Sequence, residues 1–324
     1  MSQIDCVYVA ASTHDARYTR TCVASIRFFY PDVPVRLLVG GRLQGGLADD
    51  LKRYWSVEIA NVPFGDYGWG FVKLEPLFGP SGETFLILDS DTVLAGPVLE
   101  IWDGGRFHFV VDDESQPETT VKAIYYDWKQ VQKFDSNAQP PQFLFNTGQW
   151  FGTAGVLTRK DFEPWIDWQM PRKTLPGGCF KNGEQGVLNY VINQKAMLGE
   201  VAVKRDKILK YPLFGMNGLD AEAVSNRTAP PLVVHWAGMK TPSRRRLPGA
   251  DLLAFFETRY YERFPAGRLH RFIASFVDFL AHQRRQRLKG LILKIRGGLS
   301  SSKKTWCGGR QPHLLPRTTV TKQD

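Results

Sequence analysis

No apolar run in the chain reaches the roughly 18 residues that a membrane-spanning helix needs. The opening MSQIDCVYVA lacks the basic start and long apolar stretch of a secretory signal, so the expected compartment is the cytoplasm. Cysteine is scarce. Cys6, Cys22, Cys179 and Cys307 stand far apart with no CxxC pair, which removes a zinc site and a disulfide framework and leaves four free thiols. The sequon NRT at Asn226 matters only in a secreted chain and is read as chance. No internal repeat is visible. Positive charge is also missing from most of the chain, despite a net charge of +10. From Arg263 onward fourteen Lys and Arg face two Asp, and that local surplus leaves the rest near −2. An enzyme acting on nucleic acid carries its basic residues around the cleft, so nucleic acid is not an expected partner.

What remains is enough to fold. With 324 residues, 43% of them hydrophobic, the chain can bury a large core. DCVYVAAS has the continuous apolar, β-branched look of a buried strand, and RYTRTCVASIRFFYP follows with a helical stripe at Cys22, Val23, Ile26, Phe29 and Tyr30. VPVRLLVGG and YWSVEIANVP continue the alternation, which predicts βαβ units on a mostly parallel sheet flanked by helices, an α/β fold. A helix is expected over FVKLEPLFG, stopped by Gly79 and Pro80, then a central strand at TFLILDSD. RFHFVVDDES is a further strand, and residues 116–142 have no clear period and suit an irregular insertion. QFLFNTGQWFGTAGVLTR reads as strand and turn, NGEQGVLNYVINQ as a helix starting near Gly183, and PPLVVHWAG as a last buried strand. The expected division is a domain over 1–250, a basic helical extension over 251–298 with helices at 252–264 and 269–296, and a disordered tail over 299–324.

Ligands of open parallel sheets bind beyond the carboxyl ends of the strands. There FLILDSDTVL delivers Asp89 and Asp91, one residue apart and therefore facing one side of an extended chain. Paired carboxylates at such a point suit a hard divalent cation, which can also hold phosphate oxygens. The other reading is two solvated Asp in a turn. His235 closes a second apolar run, LVVHWAG, at another strand end. Two Asp and a neutral imidazole suit Mn²⁺, and Mg²⁺ less well. The competing reading of His235 is a hydrogen-bonded core residue.

Four segments, in order over about residues 4 to 242, resemble the retaining glycosyltransferases of the GT-A fold, particularly family 8, the glycogenin-like and lipopolysaccharide galactosyltransferase-like enzymes. VYVAAS resembles the strand that holds the uracil of a UDP-sugar, which implies Ala10 and Ser12 beside the base, although the family commonly has an acid where this chain has Ser12. LILDSDTVL is similar to the metal-binding DxD. FLFNTGQWFG is similar to the FNSG run, implying that Asn146 lies near the donor sugar. NGEQGVLNYVI resembles the DQDILN helix start, with Glu184 for the first Asp, Gln185 retained and Gly186 for the second Asp. VHWAGMK resembles His-x-x-Gly-x-x-Lys with one residue fewer between Gly238 and Lys240. The resemblance implies Asp89, Asp91 and His235 as metal ligands, and Lys73, Gly238 and Lys240 at the donor. Glu184 and Asn146 would meet sugar hydroxyls, and Gln185 the developing oxocarbenium ion. Transfer from a nucleotide-diphospho-sugar to a glycan or lipid-linked acceptor, with retention, is the implied activity.

Further basic groups are available in the SRRR run at 243–246, and Asp112 and Asp113 are candidate sugar ligands unless they form a solvated loop. The tail FIASFVDFLAHQRRQRLKGLILKIR joins an apolar stripe at Phe272, Phe276, Phe279 and Leu280 to a basic end. That pattern fits an anionic membrane surface, each basic residue adding up to roughly 1 kcal/mol, or a helix packed on the catalytic domain. DSDTVL also satisfies the motif of haloacid-dehalogenase-like phosphatases, with Asp89 as nucleophile, although that motif normally opens its domain. A membrane-associated binding protein that has kept the fold without turnover is the non-enzymatic alternative.

Overall fold

The alternation of buried strand and amphipathic helix builds, in chain order, β1 (Cys6–Ala11), α1 (Ala16–Phe29), β2 (Val35–Val39), α2 (Leu47–Trp55) and β3 (Val57–Ile59). A 3₁₀ helix (Phe71–Phe78) leads to β4 (Thr84–Asp89), β5 (Thr92–Leu94), a 3₁₀ turn (Val98–Ile101) and β6 (Phe109–Asp112). Then come α3 (Glu118–Ile124), α4 (Trp128–Val131), β7 (Gln149–Thr153), α5 (Arg159–Phe162), β8 (Ile166–Asp167), β9 (Lys173–Thr174) and α6 (Glu184–Met197). β10 (Val203–Asp206), β11 (Leu209–Lys210), a 3₁₀ turn (Pro212–Phe214), α7 (Ala221–Ser225), β12 (Val233–His235) and α8 (Ala250–Glu262) complete the order. The computed structural model describes residues 4–277 apart from 13–14, 42, 44–45, 69, 115 and 240–246, and beyond 277 only 280, 283 and 284. Most of the expected helix over 269–296, and the tail over 299–324, therefore lie outside the described residues; 267–277 are helical.

The chain divides into two compact units, Met1–Ala274 and Ser275–Asp324. In the first, a seven-stranded sheet runs in the order β10-β6-β7-β4-β1-β2-β3. All its pairings are parallel except those of β7 with β4 and β6. β4 lies within this sheet and both its faces are covered. Phe85 and Ile87 join the layer of the 3₁₀ helix and α6, while Leu86 and Leu88 join that of α1, α2 and α8. All four are fully buried, at about 1.5–3 kcal/mol each, which is why the strand is apolar without alternation until its last residue. β11, β12 and β5 make a separate three-stranded sheet, and β8 and β9 a hairpin.

Local chemistry changes three expectations. FVKLEPLFG is helical but 3₁₀, because Pro76 removes a mid-helix N–H. The stretch 116–142 contains α3 and α4. In QFLFNTG only Leu144 bridges to Glu114, and the strand begins later, at Gln149. The backbone of 142–145 finds its partners in side chains instead: Asn193 Oδ1 accepts from the N–H of Gln142 (2.8 Å) and Phe143 (3.3 Å), and its Nδ2 donates to the Phe143 carbonyl (2.9 Å). Asn189, one turn earlier on α6, does the same for Phe145 at 3.0 and 2.9 Å. Among the described residues no helix is long and apolar enough to cross a membrane.

Candidate functional site

Two strand pairings assemble the acidic site. β4 lies parallel to β1 with Asp89 opposite Ala10, and the Ser90 N–H donates to the Ala10 carbonyl at 3.2 Å. The Asp89 N–H donates to the Gly148 carbonyl at 2.7 Å, which ties the end of β4 to the FNTG turn. The chain then enters β5, whose antiparallel pairing with β12 puts His235 opposite Thr92, and the Trp236 N–H donates to the Asp91 carbonyl at 3.0 Å. His235 Nε2 consequently lies 3.3 Å from Asp91 Oδ1 and 3.9 Å from Asp89 Oδ2. One ligand atom from each of the three residues falls within 4.8 Å of the others.

The donor set fits a divalent cation. Bonds of about 2.1 Å in octahedral geometry put adjacent donors about 3 Å and opposite donors about 4 Å apart. Asp91 and His235 are buried, whereas the Asp89 side chain keeps 29% of its surface exposed, so the cluster opens on one side. Two carboxylates with one imidazole suit Mn²⁺ better than Mg²⁺.

Lys73 closes the buried side. Its ammonium sits 3.1 Å from Asp89 Oδ1 and 2.6 Å from Glu184 Oε1, and donates to the Thr147 carbonyl at 3.1 Å. Burial works against that charge, but the two carboxylates outweigh it and hold Lys73 above its ordinary value. Burial pushes the Glu184 carboxyl up while Lys73 pulls it back, and the Thr147 hydroxyl donates to Glu184 Oε1 at 2.9 Å. Glu184 opens α6, where the positive end of the helix dipole favours a carboxylate. Its Oε2 sits where a side chain on Gly70 would begin, 1.7 Å from that Cβ position, and Gly70 has φ +74°.

Gln185 follows on α6, buried, its Oε1 3.5 Å from the Thr147 N–H and its Nε2 3.4 Å from the Ile124 carbonyl. Where the resemblance expects a second Asp, Gly186 meets backbone: a Cβ there would lie 2.2 Å from the Tyr125 carbonyl oxygen. Asn146 folds back so that Oδ1 accepts from the Gly148 N–H at 2.7 Å. Gly148 itself packs under the imidazole, with a Cβ position only 2.4 Å from His235 Cε1.

Of the expected site residues, Ala10, Lys73, Asp89, Asp91, Asn146, Glu184, Gln185 and His235 are thus linked through these contacts. Ser12 follows β1 and its hydroxyl donates to Asp15 Oδ2 at 2.7 Å. Gly238 is exposed in the turn after β12 with φ +72°, and Lys240 and residues 243–246 lie outside the described residues. Asp112 is spent on backbone, accepting at Oδ1 from the N–H groups of Ile208 (3.0 Å) and Leu209 (2.8 Å). Burial, with Glu114 and Asp113 nearby, pushes its carboxyl up to about 7. Asp113 pairs with Arg205 at 3.7 Å at the surface. Four contributors had escaped notice. Thr147 and Gly148 lay inside a motif already read, whereas Asp15 and Tyr211, whose ring stacks on His235, carry no sequence signal.

No family model and no curated protein matches the chain. Among solved structures it is similar to the bifunctional glycosyltransferase WbbM in its apo form, with TM-score 0.53 and 14% identity over 80% of this chain and 50% of that one. It therefore spans about half the length of WbbM. It is similar also to the galactosyltransferase LgtC in complex with donor and acceptor sugar analogues, with TM-score 0.50 and 13% identity over 82% of this chain and 99% of LgtC. At these identities the likeness is one of fold, and the chain adopts the GT-A fold of glycosyltransferases.

Proposed function

We propose that the chain is a metal-dependent glycosyltransferase that moves a sugar from a UDP-sugar to a glycan or lipid-linked acceptor, with retention. The observation that carries this reading is the convergence of Asp89, Asp91 and His235 at strand ends of a GT-A fold, with Lys73 and Glu184 directly behind them. A phosphatase with Asp89 as nucleophile has no support in this fold, since three strands precede the acidic pair.

Departure of the diphosphate leaves negative charge on one side and positive charge on the anomeric carbon on the other. Asp89, Asp91 and His235 would hold Mn²⁺, which when bound supplies positive charge to the leaving phosphates. Lys73 pairs with Asp89 Oδ1 at 3.1 Å and fixes that carboxylate from the buried side. Gln185, on long and therefore easily exchanged hydrogen bonds, is free to turn its amide oxygen to the oxocarbenium ion. Glu184 is too enclosed to meet a sugar hydroxyl as it stands, so its role runs through Lys73. Asn146 presents its amide beside the imidazole. Ala10 flanks the base, and Asp15 supplies an acid against Ser12, which supports uracil recognition.

Peripheral attachment to an anionic bilayer forms part of the proposal. Leu269, Phe272, Ile273, Phe276, Val277 and Leu280 fall at helical spacing and are all exposed, and the sequence beyond them is basic.

Titration of UDP, GDP and ADP into the protein, with Mn²⁺ and with chelator, tests the central claim. Binding of UDP that requires both Mn²⁺ and Asp91, lost in Asp91→Ala, is expected. Absence of nucleotide binding under every condition overturns it.

A further inference from the structure

We propose that Tyr211, anchored by Glu114, is the positioning residue that orients His235 toward the cation; this rests on the metal reading above. A metal-binding histidine ordinarily donates its second ring N–H to a carboxylate or carbonyl, and that hydrogen bond sets the tautomer and the plane of the ring. Among the described residues His235 has no such partner: Nδ1 is buried and makes no hydrogen bond to any of them. The imidazole is held by shape instead. The Tyr211 ring stacks on it with centroids 6.1 Å apart and planes 26° apart, inside the range of favourable offset stacking. The absent side chain of Gly148 leaves the space that Cε1 occupies.

Tyr211 is itself fixed at both ends. Its hydroxyl donates to Glu114 Oε1 at 2.8 Å, Asn146 approaches the same hydroxyl, and the other Glu114 oxygen accepts from the Tyr125 hydroxyl. Glu114 thus accepts from both phenols, one at each carboxylate oxygen. The backbone leading to Tyr211 is pinned by Asp112, which accepts from Ile208 and Leu209. β11 then runs parallel to β12 with Lys210 opposite Val234, a register that sets Tyr211 beside His235. Asp112 and Glu114, at the end of β6, thus act on the metal site from a distance. Glu114 holds the ring that aligns the ligand, and Asp112 holds the strand that carries the ring.

The test is Mn²⁺ titration of the full chain, followed by electron paramagnetic resonance of free and bound ion, with thermal unfolding of each variant as control. Tyr211→Leu is expected to weaken Mn²⁺ about tenfold or more, the size of effect usual for groups that orient metal ligands. Tyr211→Phe and Glu114→Ala, which keep the ring and lose its anchor, are expected to weaken it by a smaller and mutually similar factor and to broaden the bound-Mn²⁺ spectrum. These two also decide the matter if Tyr211→Leu fails to fold. Wild-type affinity and an unchanged spectrum in the folded Tyr211 and Glu114 variants, while His235→Ala loses the ion, overturn the inference and leave the metal site standing. A wild-type chain that binds no Mn²⁺ overturns both.

Discussion

Gly148 is small because His235 fills the space its side chain would need. Its backbone conformation does not call for glycine, so Gly148→Ala isolates the steric effect: the new methyl would start 2.4 Å from Cε1. Either the imidazole or the FNTG turn must move, with overpacking of typically 1–3 kcal/mol, and isothermal titration is expected to show weakened Mn²⁺ binding in a folded protein. Asp112 supplies a second residue-scale effect. Its folded-state value of about 7 lies above the ordinary 3.8, so the folded protein holds a proton that the unfolded chain has released. That contribution to stability is complete below pH 3.8 and disappears as the pH rises to about 7. Urea midpoints measured from pH 5 to 8 are expected to fall less steeply in Asp112→Asn than in wild type. At this scale the sequence was legible where chemistry clustered, as in DSD, FNTG and EQG, and silent where a single residue meets a distant partner, as Glu114 and Tyr211 do.

The elements show how side chains replace a missing strand. Asn189 and Asn193 lie one turn apart on α6, and together they bond to the backbone of 142–145 much as a neighbouring strand would. The segment ends at Asn146, so this ladder decides where the FNTG turn meets the acidic cluster. Asn189→Leu strands both the N–H and the carbonyl of Phe145, each orphaned buried group costing about 1–3 kcal/mol. A drop in the urea midpoint without a change in m-value is the expected result. Period and composition predicted α6 and β4 correctly, since both are set by local burial. They missed the absence of a strand over 143–145, because FLF has strand-like composition and its partner is a helix 44 to 50 positions away. The 3₁₀ geometry over Phe71–Phe78 was encoded by Pro76, although its effect, delivery of Lys73 to Asp89, depends on packing.

For the molecule as a whole, sheet order decides which residues meet at the acidic cluster. β4 and β1 lie side by side in the large sheet, and β12 pairs with β5, next to Asp91, in the small one. The proposed membrane attachment is tested at the same scale. The exposed apolar residues from Leu269 to Leu280 are expected to drive binding to vesicles containing anionic phospholipid, weakened by high salt and by Phe272→Glu with Phe276→Glu. Indifference to such vesicles at low salt removes the membrane from the proposal.

The sequence alone determined that a strand buried on both faces would run through Phe85–Leu88 and end in two carboxylates, because only apolar residues tolerate a doubly covered strand and only its end is open to a ligand. It likewise determined the βαβ alternation and the histidine at the end of a last strand. The tertiary structure decided that His235 meets Asp91, that Lys73 spends its charge between Asp89 and Glu184, and that Tyr211 stacks on the imidazole. Lys73 and Glu184 are 111 positions apart, and Asp91 and His235 are 144 apart. No local propensity encodes such pairs; strand register and core packing bring them together.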